Sequence, residues 1–283
     1  MSGAGVKLGG LALVIAAVFG GAYGLGKLVG PVSAEPEAVA EHDGMAGEHH
    51  ESAPASGATL EVLSTGLVTG QQTDFAFRIV GEDGDTATRF TPTHDKLMHL
   101  IVARRDLSGY QHVHPALAAD GTWHVPMTFA NAGDYRVFAD FKLAGATDGL
   151  TLGADVQVAG AYTPVPLPPP ALTAAVGDYR VTLAGELTPG AVSKLTLTVD
   201  KGGVPVTDLQ PYLAAYGHLV ALRQGDLAYL HVHPESTGPG PNIVFGVDVP
   251  SAGTYRLYLD FKHGDVVRTA EFTVAATGEH GHG

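Results

Sequence analysis

The chain has 283 residues, room for about two domains at roughly 150 residues each, and its 45% hydrophobic content excludes wholesale disorder. It has no cysteine, which excludes disulfides, thiolate nucleophiles, iron–sulfur clusters and the cysteine-dependent blue-copper site. A net charge of −13 argues against a nucleic-acid partner, whereas the 14 histidines nearly match the 16 lysines and arginines.

Residues 1–30 read as an N-terminal transmembrane anchor. Lys7 and Lys27 bracket an uncharged stretch from Leu8 to Gly26. As a helix it would span about 28 Å, close to a hydrocarbon core of roughly 30 Å. With Lys7 on the cytoplasmic side, everything downstream lies outside the cytoplasm on a single-pass membrane protein. The alternative is a secreted protein released from a cleaved signal, with Val32-Ser33-Ala34 as the small-residue cleavage site. Ala12, Ala16, Gly20 and Gly24 recur every fourth residue, a small-residue ridge through which two such helices could pair into a homodimer. Residues 31–58 form an acidic linker predicted to be disordered, carrying His42, Met45, His49 and His50 among acids.

Two β-domains follow, predicted over 59–160 and 172–276. In the first, short segments alternate apolar and polar residues at Thr73–Val80, His99–Arg104, Thr122–Thr128, Tyr135–Phe141 and Ala154–Val158. Residues 161–171 are a proline-rich linker, with five prolines between Tyr162 and Pro170, expected to be stiff and extended. The second domain repeats the pattern at Tyr179–Ala184, Ser193–Val199, Gly217–Arg223, Ile243–Val249, Tyr255–Phe261 and Val267–Val274. Residues 277–283 are a tail with His280 and His282.

The two domains are copies. His99-Leu100-Ile101 and Tyr110-Gln111-His112-Val113-His114-Pro115 recur as His218-Leu219-Val220 and Tyr229-Leu230-His231-Val232-His233-Pro234. Ala132-Gly133-Asp134-Tyr135-Arg136 and Asp140-Phe141-Lys142 recur as Ala252-Gly253-Thr254-Tyr255-Arg256 and Asp260-Phe261-Lys262. About seven short strands per copy predict an all-β fold: two tandem antiparallel β-sandwiches of immunoglobulin-like or cupredoxin-like type, after the N-terminal helix. Tyr135 and Tyr255 each follow an Ala-Gly turn at a strand start, the position of a tyrosine corner.

His112 and His114 stand two apart on a strand, so both imidazoles point to one face. If strand positions summing to 213 pair, 101 faces 112, 99 faces 114, and His99 shares that face. A slip of one residue would turn His99 away. The equivalent register in the second copy sets 218 opposite 233 and gathers His218, His231 and His233. Three imidazoles on one surface suit Cu²⁺ or Zn²⁺. Asp140 and Asp260 are repeated with them, as carboxylates that accept a ligand's ring N–H, as fourth ligands, or as salt-bridge partners of nearby Lys and Arg. The first copy adds His94, Met98 and His124 where the second has Leu213, Gly217 and Val244, and the Met98 thioether would suit Cu(I).

The string from His99 through Tyr110-Gln111-His112-Val113-His114-Pro115 to Tyr135-Arg136 and Asp140-Phe141 resembles bacterial extracytoplasmic proteins called heavy-metal-binding or YtkA-like/FixH-like, which carry an N-terminal anchor. The resemblance spans about 45 residues in each copy. It implies a β-sandwich outside the membrane and metal handling, copper above all, with ligands on His99, His112, His114, His218, His231 and His233. The CxxC head of some such proteins is missing here.

The expected function is therefore non-enzymatic metal binding as chaperone, buffer or sensor, with copper as the ion and zinc as the alternative. A membrane metal transporter or another extracytoplasmic protein would be its partner. The competing reading is an adhesion or assembly module whose histidines are structural. No HExxH and no nucleophile elbow points to an enzyme.

Overall fold

The computed structural model describes residues 57–235 and 238–278. The N-terminal anchor, nearly all of the acidic linker and the histidines of the C-terminal tail lie outside the described residues. Among the described residues no helix is long and apolar enough to cross a membrane.

The first repeat contains β1 (Thr59–Val62), β2 (Gln72–Val80), β3 (Phe90–Thr91), β4 (Met98–Arg104), β5 (Gln111–Val113), β6 (Ala116–Leu117), β7 (Trp123–Thr128), β8 (Gly133–Leu143) and β9 (Leu150–Val158). One sheet runs β1-β2-β7-β6; the other runs β3-β8-β4-β5, with β9 also on β8. All strand pairs are antiparallel. Setting β1, β2, β7 and β6 in one layer against β4, β8 and β9 in the other is the immunoglobulin-like arrangement. The layers close on Phe75, Phe77, Trp123, Tyr135 and Phe141, all fully buried. Each such side chain contributes about 1.5–3 kcal/mol through its apolar area.

The second repeat contains β10 (Thr173–Val176), β11 (Tyr179–Ala184), β12 (Ala191–Lys201), β13 (Val204–Pro205), β14 (His218–Arg223), β15 (Val232–Pro234), β16 (Asn242–Val249), β17 (Gly253–His263) and β18 (Val266–Ala276). Its layers are β10-β11-β12-β16-β15, with β13 on β12, and β14-β17-β18. They enclose a second core that includes Leu195, Phe245, Leu257, Phe261 and Phe272.

Both predicted tyrosine corners form. Tyr135 donates its hydroxyl to the Asn131 carbonyl at 2.8 Å and Tyr255 to the Ser251 carbonyl at 2.7 Å. Gly109 makes room for the first: at φ +66°, a Cβ there would lie 3.2 Å from the Tyr135 ring.

Strands β4 and β14, which carry His99 and His218, are buried on both faces. Along β4, Met98, Leu100 and Val102 enter the sandwich core, while His99, Ile101 and Ala103 point the other way. That outward face meets the outward face of the second repeat. Ile101, Ala103, Leu107 and Phe138 pack against Val220, Leu222, Leu227 and Tyr258 in a third apolar cluster between the repeats. Tyr110 stacks on Tyr258, with ring centroids 4.0 Å apart, and Tyr258 donates to the Leu107 carbonyl at 2.5 Å.

The proline-rich segment has no regular element and is tied to both repeats. Arg104 donates to the Thr163 carbonyl at 2.9 Å, the Val165 N–H donates to Asp106 at 2.8 Å, and the Ala171 N–H donates to the Thr273 carbonyl at 3.0 Å.

The two copies differ where the second His-x-His motif lies. In the first, β4 and β5 pair as Leu100↔Val113, Ile101↔His112 and Val102↔Gln111, the predicted register. In the second, the equivalent register survives as the single bridge Leu222↔Tyr229. The chain then leaves β14 and joins β16 of the opposite layer, pairing Val232↔Val247 and His233↔Gly246. The expected pairing of 218 with 233 therefore does not form.

Candidate metal centre

His99, His112 and His114 come together at one end of the interface between the repeats. Each offers a nitrogen within 4.8 Å of the others, and the ring centroids lie 4.9–5.3 Å apart. Alternation on β5 aims His112 and His114 the same way, and the β4–β5 register brings His99 to them.

The tautomer of His99 follows from its partner. His99 Nε2 lies 3.0 Å from the Thr93 carbonyl, which can only accept, so Nε2 carries the proton and Nδ1 carries a lone pair. His112 Nδ1 donates to the Asp260 carboxylate at 2.9 Å. The His99 Nδ1 lone pair faces His112 Nε2 at 3.1 Å. Burial pushes the His99 pKa down to about 4 and the His114 pKa to about 3, helped by the neighbouring imidazoles, so neither ring supplies a proton at neutral pH. His114 Nε2 is buried with no hydrogen-bond partner. Two nitrogens on one tetrahedral ion, with bonds of about 2.05 Å, stand about 3.3 Å apart, so the observed spacing fits a shared ion.

The second repeat completes the centre. Asp260 on β17, 3% exposed, holds His112 and also accepts from Tyr110 Oη at 3.2 Å and Thr269 Oγ1 at 2.6 Å. Of the roles that the sequence leaves open to this carboxylate, the structure realises the acceptor of a histidine N–H, and the histidine belongs to the other repeat. His218 on β14 sits beside the trio, its ring centroid 6.1 Å from that of His112 and 6.3 Å from that of His99. Its Nε2 lies 2.8 Å from the Tyr212 carbonyl, as His99 Nε2 does from the equivalent Thr93, which leaves Nδ1 with the lone pair. Burial lowers the His218 pKa to about 4. His94, in the turn before β4, reaches the same place, 5.5 Å from the His218 ring and 6.0 Å from the His99 ring. Asp140, paired with His99 across β4 and β8, lines the cavity there, and desolvation raises its pKa to about 6.

Three expected ligands lie elsewhere. Met98 is 1% exposed in the sandwich core, on the face of β4 opposite His99, because neighbouring strand residues alternate. The second copy has Gly217 there because a Cβ would meet Ile243 at 3.0 Å, so this exchange is a matter of core volume. His231 and His233 are exposed, with ring centroids 4.2 Å apart, while Val232 and Pro234 between and beyond them line the cavity. Switching β15 to the opposite layer turned the second His-x-His outward, so the copies build one joint centre instead of one trio each. His124, on β7 of the opposite layer, is hydrogen-bonded to Asp74 at 2.9 Å. Sequence reasoning missed the Thr93 and Tyr212 carbonyls that orient His99 and His218; their shared six-residue spacing was the available signal.

A model of the DUF8832 family, described as a domain of unknown function, matches residues 53–159 and 174–278. No curated protein matches the chain. Among solved structures, a DUF4426 family protein from Pseudomonas aeruginosa is similar at 14% identity and TM-score 0.28, over 36% of this chain and 94% of that one. The Escherichia coli adhesin FdeC is similar at 17% identity and TM-score 0.25, over 79% of this chain and 66% of that one. The Yersinia pseudotuberculosis adhesin InvE is similar at 12% identity and TM-score 0.25, over 78% and 59%. Scores this low carry no argument about activity.

Proposed function

The chain belongs to the DUF8832 family, here in two tandem copies, and we propose that it is a membrane-anchored extracytoplasmic metal-binding protein whose cargo is copper, with zinc the alternative ion. It acts as a chaperone, buffer or sensor and catalyses nothing. The observation that carries this reading is the convergence of His99, His112 and His114, each offering a nitrogen within 4.8 Å of the others, with His114 Nε2 buried and unpartnered.

Neutral imidazoles bind Cu(I), Cu(II) and Zn(II) alike, which is why copper rests on the resemblance and zinc stays beside it. Asp260 raises the basicity of His112 and fixes its ring, the usual service of a carboxylate behind a ligating histidine. The uncharged N-terminal stretch supports the extracytoplasmic address, since it reads as an anchor or a signal. A membrane metal transporter fits as the partner that delivers or removes the ion.

The test is competition titration of the full chain with Cu(I), Cu(II) and Zn(II), wild type against the double variant His112→Ala/His114→Ala. One high-affinity equivalent disappears in the double variant while the near-ultraviolet spectrum persists. The single variant His114→Ala, at a half-buried position, serves if the double variant unfolds. Equal uptake by wild type and either variant refutes the reading.

A further inference from the structure

The two repeats meet through the same positions of each. Ile101 and Val220, Leu107 and Leu227, and Phe138 and Tyr258 are equivalent residues of the duplicated sequence, and all six lie in the apolar cluster between the repeats. Tyr110 stacks on Tyr258 with ring centroids 4.0 Å apart, and its equivalent Tyr229 meets Phe138 at 5.5 Å. Such a face is self-complementary, as at a two-fold dimer contact. The polar contacts do not share this symmetry. His112 Nδ1 and Tyr110 Oη both donate to Asp260 Oδ2, at 2.9 and 3.2 Å, and Tyr258 Oη donates to the Leu107 carbonyl at 2.5 Å. On the other half, Phe138 has no hydroxyl to donate, and His231, the equivalent of His112, is exposed.

All three members of the trio belong to the first repeat, and two of them depend on β5 for their placement. β5 is three residues long, stands at the edge of its sheet and is held to β4 by three residue pairs. The second repeat holds the same strand from outside that sandwich, because Asp260 engages His112 and Tyr110 while Tyr258 stacks on the Tyr110 ring. Docking of the second repeat therefore orders the strand that carries the ligands and leaves less ordering for an ion to impose. Linkage makes the effect mutual: whatever factor docking adds to ion affinity, the ion adds to docking. A carboxylate behind a ligating histidine is typically worth about 10–100-fold in affinity, which sets the size of that factor.

We propose that the ion controls the contact between the repeats: occupancy of the His99–His112–His114 trio and docking of the second repeat are coupled through β5 and Asp260. The proposal rests on the metal-binding reading above and, of chaperone, buffer and sensor, selects the sensor. An ion held by side chains of the first repeat is felt in the second, which supplies no member of the trio. The apolar face brings the repeats together, and the polar half of the contact makes their union depend on the ion.

The experiment is hydrogen exchange of the full chain with and without Zn²⁺, a probe free of redox chemistry. It is read by peptide mass for β4 and β8 in the first repeat and β14 and β17 in the second, in wild type and Asp260→Asn. In wild type, Zn²⁺ slows exchange in both repeats, by about 10–100-fold in β14 and β17. In Asp260→Asn, with Zn²⁺ raised until uptake matches wild type, the slowing persists in the first repeat and falls by about tenfold or more in the second. Tyr110→Phe, which keeps the ring on Tyr258 and drops one bond to Asp260, takes its place if Asp260→Asn fails to fold. Full uptake by wild type with slowing confined to the first repeat overturns the coupling and leaves the trio standing. Undiminished slowing of β14 and β17 in Asp260→Asn overturns it as well, because the second repeat then answers to something other than that carboxylate. No Zn²⁺ uptake by wild type overturns the metal-binding reading and the coupling with it.

Discussion

Asp260→Asn tests whether the two repeats build the centre jointly. Asp260 belongs to the second repeat, yet its Oδ2 lies 2.9 Å from His112 Nδ1 in the first. The substitution keeps the shape, removes the charge and weakens the bond that fixes the His112 tautomer. Removing such a carboxylate typically costs 10–100-fold in metal affinity, or about 1.4–2.8 kcal/mol. The same change disturbs a group 3% exposed with three donors, so the fold loses about 1–3 kcal/mol in addition. The assay separates these effects: Cu(I) competition gives the affinity, and urea unfolding of the metal-free chain gives the stability. Thr269→Ala is the control. It removes a donor to the other carboxylate oxygen, 2.6 Å away, and leaves His112 alone, so stability falls by about 1 kcal/mol and affinity stays close to wild type. A jointly built centre is refuted if Asp260→Asn binds Cu(I) as tightly as wild type, or if Thr269→Ala weakens binding equally.

Two further predictions concern the scaffold. Tyr135→Phe and Tyr255→Phe each remove one corner hydrogen bond, of 2.8 and 2.7 Å, and each lowers stability in urea by about 1–2 kcal/mol. Because the two sites share no partner, the double variant shows the sum. Asp106 carries a pH signature. Burial opposes its ionisation, but Arg104, Ser108 and the Val165 N–H outweigh it and hold the carboxyl well below the usual range. A carboxyl depressed in the folded state adds stability above its unfolded pKa of about 3.9, and that stability fades as pH falls toward the folded value. The urea midpoint of wild type therefore exceeds that of Asp106→Asn at pH 7, and the gap narrows below about pH 4. A gap independent of pH would remove the ion-pair explanation.

Much of this protein was legible in the sequence because the relevant forces are local or periodic. Apolar alternation marked strands such as β2, β8 and β17. The Ala-Gly turns located both tyrosine corners. The β4–β5 register followed from the spacing of His99 and His112 across a short connection, since a two-residue side-chain period leaves few alternatives once one face is buried. The same period, applied strictly, also turns Met98 away from His99 and into the core. The runs Leu100–Ala103 and Leu219–Leu222 are apolar without a break, so alternation did not describe them, and the structure buries both faces of these strands.

What covers those faces was a tertiary matter. Periodicity tells which side chains leave a sheet together, but not which surface meets them, because that choice depends on the fit of residues more than a hundred positions apart. The packing of Ile101 and Phe138 on Val220 and Tyr258 is of that kind, and so is the reach of Asp260 to His112. The second His-x-His motif makes the point most directly. His231 and His233 repeat His112 and His114 residue for residue, yet β15 pairs with β16 instead of β14 and exposes them. Local sequence determined that each repeat would carry a histidine strand. Competition between two sheets for that strand decided that the protein would have one buried histidine cluster, shared between the repeats, rather than two.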